Sequence, residues 1–379
     1  MVYLEDPSQL AFASISLHAD DGLSPSADVA PAINVSTTFI QSGDPANPSP
    51  HIYSRQSSET RNRVEQVLGL LNKGHAITYS SGLSAGYAGL LHVKPNRVAI
   101  RGGYHGTHGF IEIYKRHRDI DIIDIDDELQ EGDLLWLESP LNPTGEVLDV
   151  VAYSERAHKV GATVLLDSTF APPPLAWPIE LGPDIVLHSA TKYFAGHSDS
   201  LGGVLIVKSE NDALVLRDDR TNLGSVLGSL ETWLLLRSLR TLKIRVLQQS
   251  QTATALTSWL AQAADGKEHD GIPANAIHKV LHASLQDVPW DIQKQFPGGY
   301  GATFSVLLTS KEAAEALPLR LRLFRAATSL GGVESLAEWR FPLDSKVDER
   351  LVRISVGLEE LDDLKHDWRQ ALTSISKQT

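Results

Sequence analysis

The sequence predicts an α/β protein: a mostly parallel central sheet followed by a smaller C-terminal α+β domain. Three observations carry this. Short apolar runs recur between residues 76 and 188 with helical segments between several of them, the alternation that builds a parallel sheet covered on both faces. Four groups able to do chemistry, Gly82, Glu138, Asp167 and Lys192, fall at the ends of such runs, where ligands collect in open sheets. The 379 residues, 42% hydrophobic and 21% charged, suffice for a large core and for two domains.

In chain order, residues 1–50 are rich in Pro, Ser, Asp and Ala and read as an arm lying on something larger, another subunit being one candidate. Ser58-Glu59 then leads a helix with Val64, Val67, Leu68 and Leu71 on one face, ending at Gly74. Ala76 to Tyr79 reads as a strand, and Ser80-Ser81-Gly82 turns it into a second helix. Strands follow at 97–100, 120–125, 134–137, 163–166 and 185–188, with a helix over 150–159. From about Leu227 a long amphipathic helix is predicted, with Leu235, Leu239, Leu242 and Val246 on one side. Its Arg237, Arg240, Lys243 and Arg245 are expected on a solvated or subunit-facing side. After a polar loop (264–275), a strand (302–308), a helix (312–324), a strand (351–356) and a helix (361–372) make the small domain.

Composition narrows the function. A net charge of −13 disfavours nucleic acid and anionic membrane as partners. No apolar run is long enough to span a membrane, and no lysine or arginine precedes Arg55, so a cytoplasmic protein is expected. The absence of cysteine removes disulfides, thiolate metal sites and a cysteine nucleophile. Met1 is the single methionine, a composition that suits a protein made when sulfur is scarce. His105 and His108 lack further ligands in sequence, and no metal site is expected.

The segment Ser189-Ala190-Thr191-Lys192 places an amine between two hydroxyls, just beyond a buried strand. An amine there has a lowered pKa and becomes nucleophilic. Three chemistries compete. Gly82-Leu83-Ser84-Ala85-Gly86 fits the G-x-S-x-G elbow of a hydrolase, with Asp167 and His188 or His197 completing a triad around Ser84. Ser189 to Lys192 fits S-x-x-K, but without its companion motifs. The third is pyridoxal 5'-phosphate (PLP) held as a Schiff base on Lys192. It needs a carboxylate for the pyridine nitrogen, which Asp167 supplies, and anion binders for the phosphate. The Ser81-Gly82-Leu83 helix start, Ser189 and Thr191 supply those. The pieces occur together and in order, which favours this reading.

These residues resemble the PLP-dependent Cys/Met-metabolism (trans-sulfuration) enzymes, and among them the fungal cystathionine γ-synthase-like members. The likeness rests on Tyr53-Ser54-Arg55, Ser80-Ser81-Gly82-Leu83, Tyr104-His105-Gly106-Thr107, Glu138-Ser139-Pro140-Leu141-Asn142-Pro143, Asp167-Ser168-Thr169, Ser189-Ala190-Thr191-Lys192, Ser329-Leu330-Gly331-Gly332-Val333-Glu334-Ser335 and Arg353-Ile354-Ser355-Val356-Gly357. It implies the PLP-dependent transferase fold type I, with residues 1–50 as an intersubunit arm, 51–230 as the PLP-binding domain and 231–379 as a C-terminal domain entered through a long helix. It also implies Lys192 as Schiff-base lysine, Asp167 on the ring nitrogen and Tyr104 stacked on the ring. Ser81, Gly82, Leu83, Ser189 and Thr191 would hold the phosphate, joined by Tyr53 and Arg55 from a neighbouring subunit. Asn142, Ser329 and Arg353 would hold the substrate carboxylate, with Glu334 also on the substrate.

The reaction implied is γ-replacement or γ-elimination on an activated homoserine or cystathionine, through an external aldimine and a β,γ-unsaturated intermediate, in a homotetramer built as a dimer of dimers. Synthase, lyase and sulfhydrylase share these residues. Four positions depart from the family pattern: Gln56 to Thr60 replaces a short Asn-Pro-Thr turn, Ile52 stands where several cystathionine-handling members carry an acid for the distal amino group, Gly106 stands where methionine γ-lyases carry cysteine, and Glu338-Trp339-Arg340 replaces a His-containing segment near the substrate entrance.

Overall fold

The computed structural model describes residues 6–23 and 28–377; the parts of the predicted arm at 1–5 and 24–27, and residues 378–379, lie outside the described residues. In chain order come α1 (Phe12–His18), α2 (Glu59–Asn72), β1 (His75–Tyr79), α3 (Gly82–Val93), β2 (Arg97–Ala99), α4 (His105–Lys115), β3 (Asp121–Ile123), β4 (Leu134–Glu138), α5 (Val150–His158), β5 (Thr163–Asp167), β6 (Ile185–His188), β7 (Gly203–Val207) and α6 (Glu210–Leu223). The strands form one seven-stranded sheet in the order β1-β7-β6-β5-β4-β2-β3. Pairing is parallel from β3 through β2, β4 and β5 to β6. The unpredicted strand β7 is antiparallel to both β6 and β1, so β1 points the same way as β6.

Helices cover both faces, as the alternation requires. One face packs Ile77, Trp136, Leu165 and Leu205 against α3 and α4. The other packs Leu135, Leu137, Val164 and Leu166 on α5, and Ala76, Val186 and Val204 in the cluster that holds α2. All four expected apolar residues of α2 are buried. Its Glu65 is buried too, accepting from Thr78 N at 2.9 Å and Thr78 Oγ1 at 2.8 Å while pairing with Arg220 of α6. A charge so enclosed is tolerated only with such partners.

The C-terminal part comprises α7 (Ser229–Leu239), α8 (Leu242–Ala261), β8 (Ile277–Leu281), α9 (Ile292–Gln295), β9 (Thr303–Leu308), α10 (Lys311–Arg320), β10 (Arg325–Ala326), β11 (Leu336–Trp339), β12 (Leu351–Ser355) and α11 (Leu361–Ser376). Its five-stranded sheet runs β10-β11-β12-β9-β8. On α11, Leu364, Trp368, Ala371, Leu372 and Ile375 are buried, the spacing of one helix face.

Three expectations need correction. The long helix is two, broken where Thr241 leaves helical geometry at φ −113°, ψ 10°. Arg245 is buried rather than solvated; its guanidinium donates to the carbonyls of Tyr193 at 2.9 Å, Phe194 at 3.4 Å and Ser238 at 2.9 Å. A helical run of basic residues reads as a solvated face until the surface facing it is known. Strands β8 and β11 join the small sheet unannounced, because neither segment alternates cleanly. The arm contains α1, which packs on this chain's own core through Ile15 and Ala19, while the neighbouring Asp20 pairs with Arg63 of α2 at 2.7 Å. Beyond it, Val29, Val35 and Ile40 stand 72 to 100% exposed. Among the described residues no helix is long and apolar enough to cross a membrane.

Candidate active site

Because β1, β2, β4, β5 and β6 run in one direction, their carboxyl ends open on one edge of the sheet, against the small sheet. A cavity of about 590 Å³ lies there. Glu138, Asp167, Lys192 and Arg353 all line it, with the start of α3 and Tyr104 at the head of α4.

Lys192 is held by its own loop. Arg245 binds the two carbonyls that follow it, and Tyr193 is buried with its hydroxyl accepting from Ala302 N at 3.0 Å. The amine donates to Ser329 Oγ at 2.8 Å. Burial pushes the Lys192 ammonium down to about 8, reinforced by the Arg353 guanidinium and opposed by Glu338. On the neighbouring strands Glu138 and Asp167 are register partners. Asp167 Oδ1 accepts from Thr169 N at 2.9 Å, and burial pushes its carboxyl up. Glu138 accepts from Tyr104 N and Asn142 N, each at 2.8 Å; burial first, then Asp167, push its carboxyl up. The Tyr104 backbone is thus fastened to the end of β4, and Gly103, at φ +83°, passes against the same carboxylate where a side chain would collide.

The small sheet contributes the cations. Arg353 on β12 is directly opposite Glu338 on β11. Its guanidinium donates to Asn142 Oδ1 at 3.0 Å, to the Ser329 carbonyl at 3.1 Å and to Glu338 Oε2 at 2.6 Å. Burial pushes it down to about 10, against the pull of Glu338.

At the start of α3, Ser81 caps the helix by accepting from Ser84 N at 3.0 Å, and Ala85 N returns to the Ser81 carbonyl. The N–H groups of Gly82 and Leu83 are left at the positive end of the helix, facing the cavity. A Cβ on Gly82 would lie 3.0 Å from Ser189, so glycine brings the loops carrying Lys192 and the helix start together.

Comparison with known proteins fits this geometry. Residues 13–373 match the family model described as Cys/Met metabolism PLP-dependent enzyme. The chain belongs to this family. The chain is 34% identical over 348 residues to a cystathionine β-lyase of Bacillus subtilis, covering 86% of each. It is 33% identical to a cystathionine γ-lyase of Saccharomyces cerevisiae, covering 95% of this chain and 97% of that one. It superimposes on the crystal structure of metB from Corynebacterium glutamicum with a TM-score of 0.88 at 28% identity, covering 98% and 100% of the two chains.

The family's cofactor is PLP, and the cavity's chemistry fits it: an amine of lowered pKa, a buried carboxylate at the end of a strand, and a helix start whose first N–H groups can take a phosphate. The transferase fold read from the sequence stands. Of the predicted residues, Ser81, Gly82, Leu83, Tyr104, Asn142, Asp167, Ser189, Thr191, Lys192, Ser329 and Arg353 line one cavity. Three stand apart from it on this chain. Glu334 is exposed and accepts from Ser198 Oγ at 3.3 Å. Arg55 donates to the Thr221 carbonyl at 3.1 Å with Tyr53 beneath it. The hydrolase reading fails: Ser84 does not line the cavity, His188 is buried with both ring nitrogens unbonded, and His197 bonds Ala195 O and Ser238. Sequence reasoning missed Thr169, whose Oγ1 accepts from Ser189 N at 2.8 Å, and Arg340 as a wall of the cavity. For Arg340 the departure from the family pattern at Glu338-Trp339-Arg340 was the available signal.

Proposed function

We propose that this enzyme catalyses γ-replacement or γ-elimination on an activated homoserine or cystathionine, with a γ-synthase-like activity first. The observation that carries the reading is one amine, Lys192, of lowered pKa between a buried carboxylate and a buried guanidinium. When bound, PLP supplies an electron sink that acidifies the substrate's Cα and Cβ hydrogens. Lys192 would hold it, and Gly82, Leu83, Ser81, Ser189 and Thr191 would take its phosphate. Asp167 would pair with its ring nitrogen, and Tyr104 would cover its ring.

Arg353 grips the substrate α-carboxylate, with Asn142 and the Ser329 carbonyl fixing the guanidinium plane. The freed Lys192 amine moves protons at Cα and then Cβ, and Ser329 Oγ orients it. The sequence also allows a PLP-binding relative that has lost turnover, with the altered Gln56 to Thr60 turn as its motive; the intact trio of Lys192, Asp167 and Arg353 around one cavity speaks against it. Cystathionine γ-lyase and O-acylhomoserine sulfhydrylase activities need the same residues, so the incoming nucleophile separates them.

Tyr53 and Arg55 would reach the phosphate of a second copy, in a dimer of dimers. The exposed Val29, Val35 and Ile40 support burial of the arm on such a copy. The test is to incubate the PLP-loaded enzyme with O-acylhomoserine, with and without cysteine, and identify the products. Cystathionine formed only when cysteine is present is the expected result. Absence of turnover on every γ-substituted amino acid would overturn the reading.

A further inference from the structure

Arg340 follows β11 immediately and lines the cavity, although its side chain is only 3% exposed. Its Nη1 donates to Glu338 Oε2 at 2.9 Å, the same oxygen that takes Arg353. One carboxylate oxygen therefore holds two guanidinium groups. Arg340 Nε is buried without a partner, and so is Glu338 Oε1. Buried donors of a charged group are costly to leave unbonded, and two cations sharing one anion leave a net positive charge. Arg353 is committed to Asn142 and Ser329 as well; Arg340 has no other side-chain bond among the described residues. A second anion in the cavity would complete it.

We propose that Arg340 is a specificity-determining residue that receives a carboxylate at the far end of the substrate's side chain, while Arg353 takes the α-carboxylate. The inference rests on the proposed role of Arg353. It favours a side chain ending in a bare carboxylate, such as a dicarboxylic hemiester, over one ending in an amino acid. The carboxylates among the described residues lining the cavity are Glu138 and Asp167, both at strand ends and already accepting backbone N–H groups, and Glu338, not itself a lining residue, is already shared by two guanidinium groups, so a distal ammonium is met by cations.

The test uses inert ligands on the PLP-loaded enzyme, so that it reads even if turnover fails. Calorimetry compares glutarate with butyrate, two carboxylates against one on similar chains. Glutarate is expected to bind at least about tenfold more tightly, the worth of one charge-assisted hydrogen bond. Arg340→Gln should remove that preference and leave butyrate affinity little changed, and Arg340→Lys, which keeps a cation beside Glu338, should retain part of it. In turnover, Arg340→Gln should lower kcat/KM for O-succinylhomoserine and spare O-acetylhomoserine. Parallel loss of both ligands in Arg340→Gln would make Arg340 a positioning residue for Arg353 and overturn the proposal. Equal affinities of glutarate and butyrate in the native enzyme would overturn it too. Failure of all turnover with the glutarate preference intact would sink the γ-substitution reading alone.

Discussion

Lys192 Nζ donates to Ser329 Oγ at 2.8 Å, and the carbonyl of that same Ser329 accepts from Arg353 at 3.1 Å. One serine, held at φ +91°, thus joins the amine of the large sheet to the guanidinium of the small one. A non-glycine residue in that conformation is strained and persists where the surroundings fix it, which is common at functional sites.

The amine's lowered pKa has a direct consequence. In the cofactor-free protein, Lys192 should react with an amine-directed reagent with a midpoint near pH 8, because the neutral, reactive form predominates above that pH. Peptide mapping of the labelled site against pH gives the curve. A midpoint near that of a solvated lysine would show that the burial argument is wrong. In the PLP-loaded protein, Lys192→Ala should lose the near-visible absorption band of the bound cofactor and at least about 1,000-fold in kcat.

Asp167→Asn should trade function for stability. Its folded carboxyl is pushed up by burial, so ionising it costs the fold free energy. That penalty is absent below the unfolded value, grows as pH rises through the window between the two values, and is complete above it. Denaturant midpoints of the cofactor-free variant should therefore exceed the parent's at pH 7 to 8 and converge with it below about pH 4. Activity should fall about 100-fold or more if, as proposed, Asp167 is the anionic partner of the ring nitrogen.

Gly106 sits where a Cβ would lie 2.5 Å from the Tyr104 ring and 2.8 Å from Leu83 Cδ2. Gly106→Ala should displace the tyrosine ring and weaken PLP binding by about tenfold, roughly 1.4 kcal/mol. Alanine's helix preference offsets little of this, because position 106 lies in the first turn of α4 rather than in its interior. A titration of cofactor against the apoprotein, read by fluorescence, measures the loss. Unchanged affinity would mean that the ring has room to move.

His188 is buried at the end of β6 against Phe194, ring centroids 5.0 Å apart, with both nitrogens unbonded. Burial pushes it down to about 3, with the Ser168 backbone pulling the other way. Between that value and its ordinary pKa only the unfolded chain binds the proton, so stability falls as pH drops through this window, by about 1.4 kcal/mol per pH unit. His188→Phe should flatten the decline between pH 6.5 and 4.5 and cost nothing at pH 8. A parallel slope in parent and variant, from denaturant midpoints, would exclude His188 as the source.

By itself the sequence determined the sheet class, the strand ends that carry chemistry, the cofactor and the family. Those depend on local pattern and short motifs: strand-length apolar runs, a capped glycine at a helix start, an aspartate at the end of one strand, a lysine a few residues beyond another, and the blocks shared with the family. Lys192, Asp167 and Gly82 were singled out for that reason, whereas Arg353 came only from the family resemblance. Only the tertiary structure decided what β7, β11 and Arg245 do, because their roles are set by surfaces far away in the chain. Arg245 reads as one more solvated helical cation until the Tyr193 and Phe194 carbonyls are brought against it. Arg340 likewise acquires meaning only when β11 pairs with β12 and Glu338 falls opposite Arg353. Local propensity is written along the chain, whereas the burial that empties a guanidinium of water, and so gives it work to do, exists only once distant segments have packed.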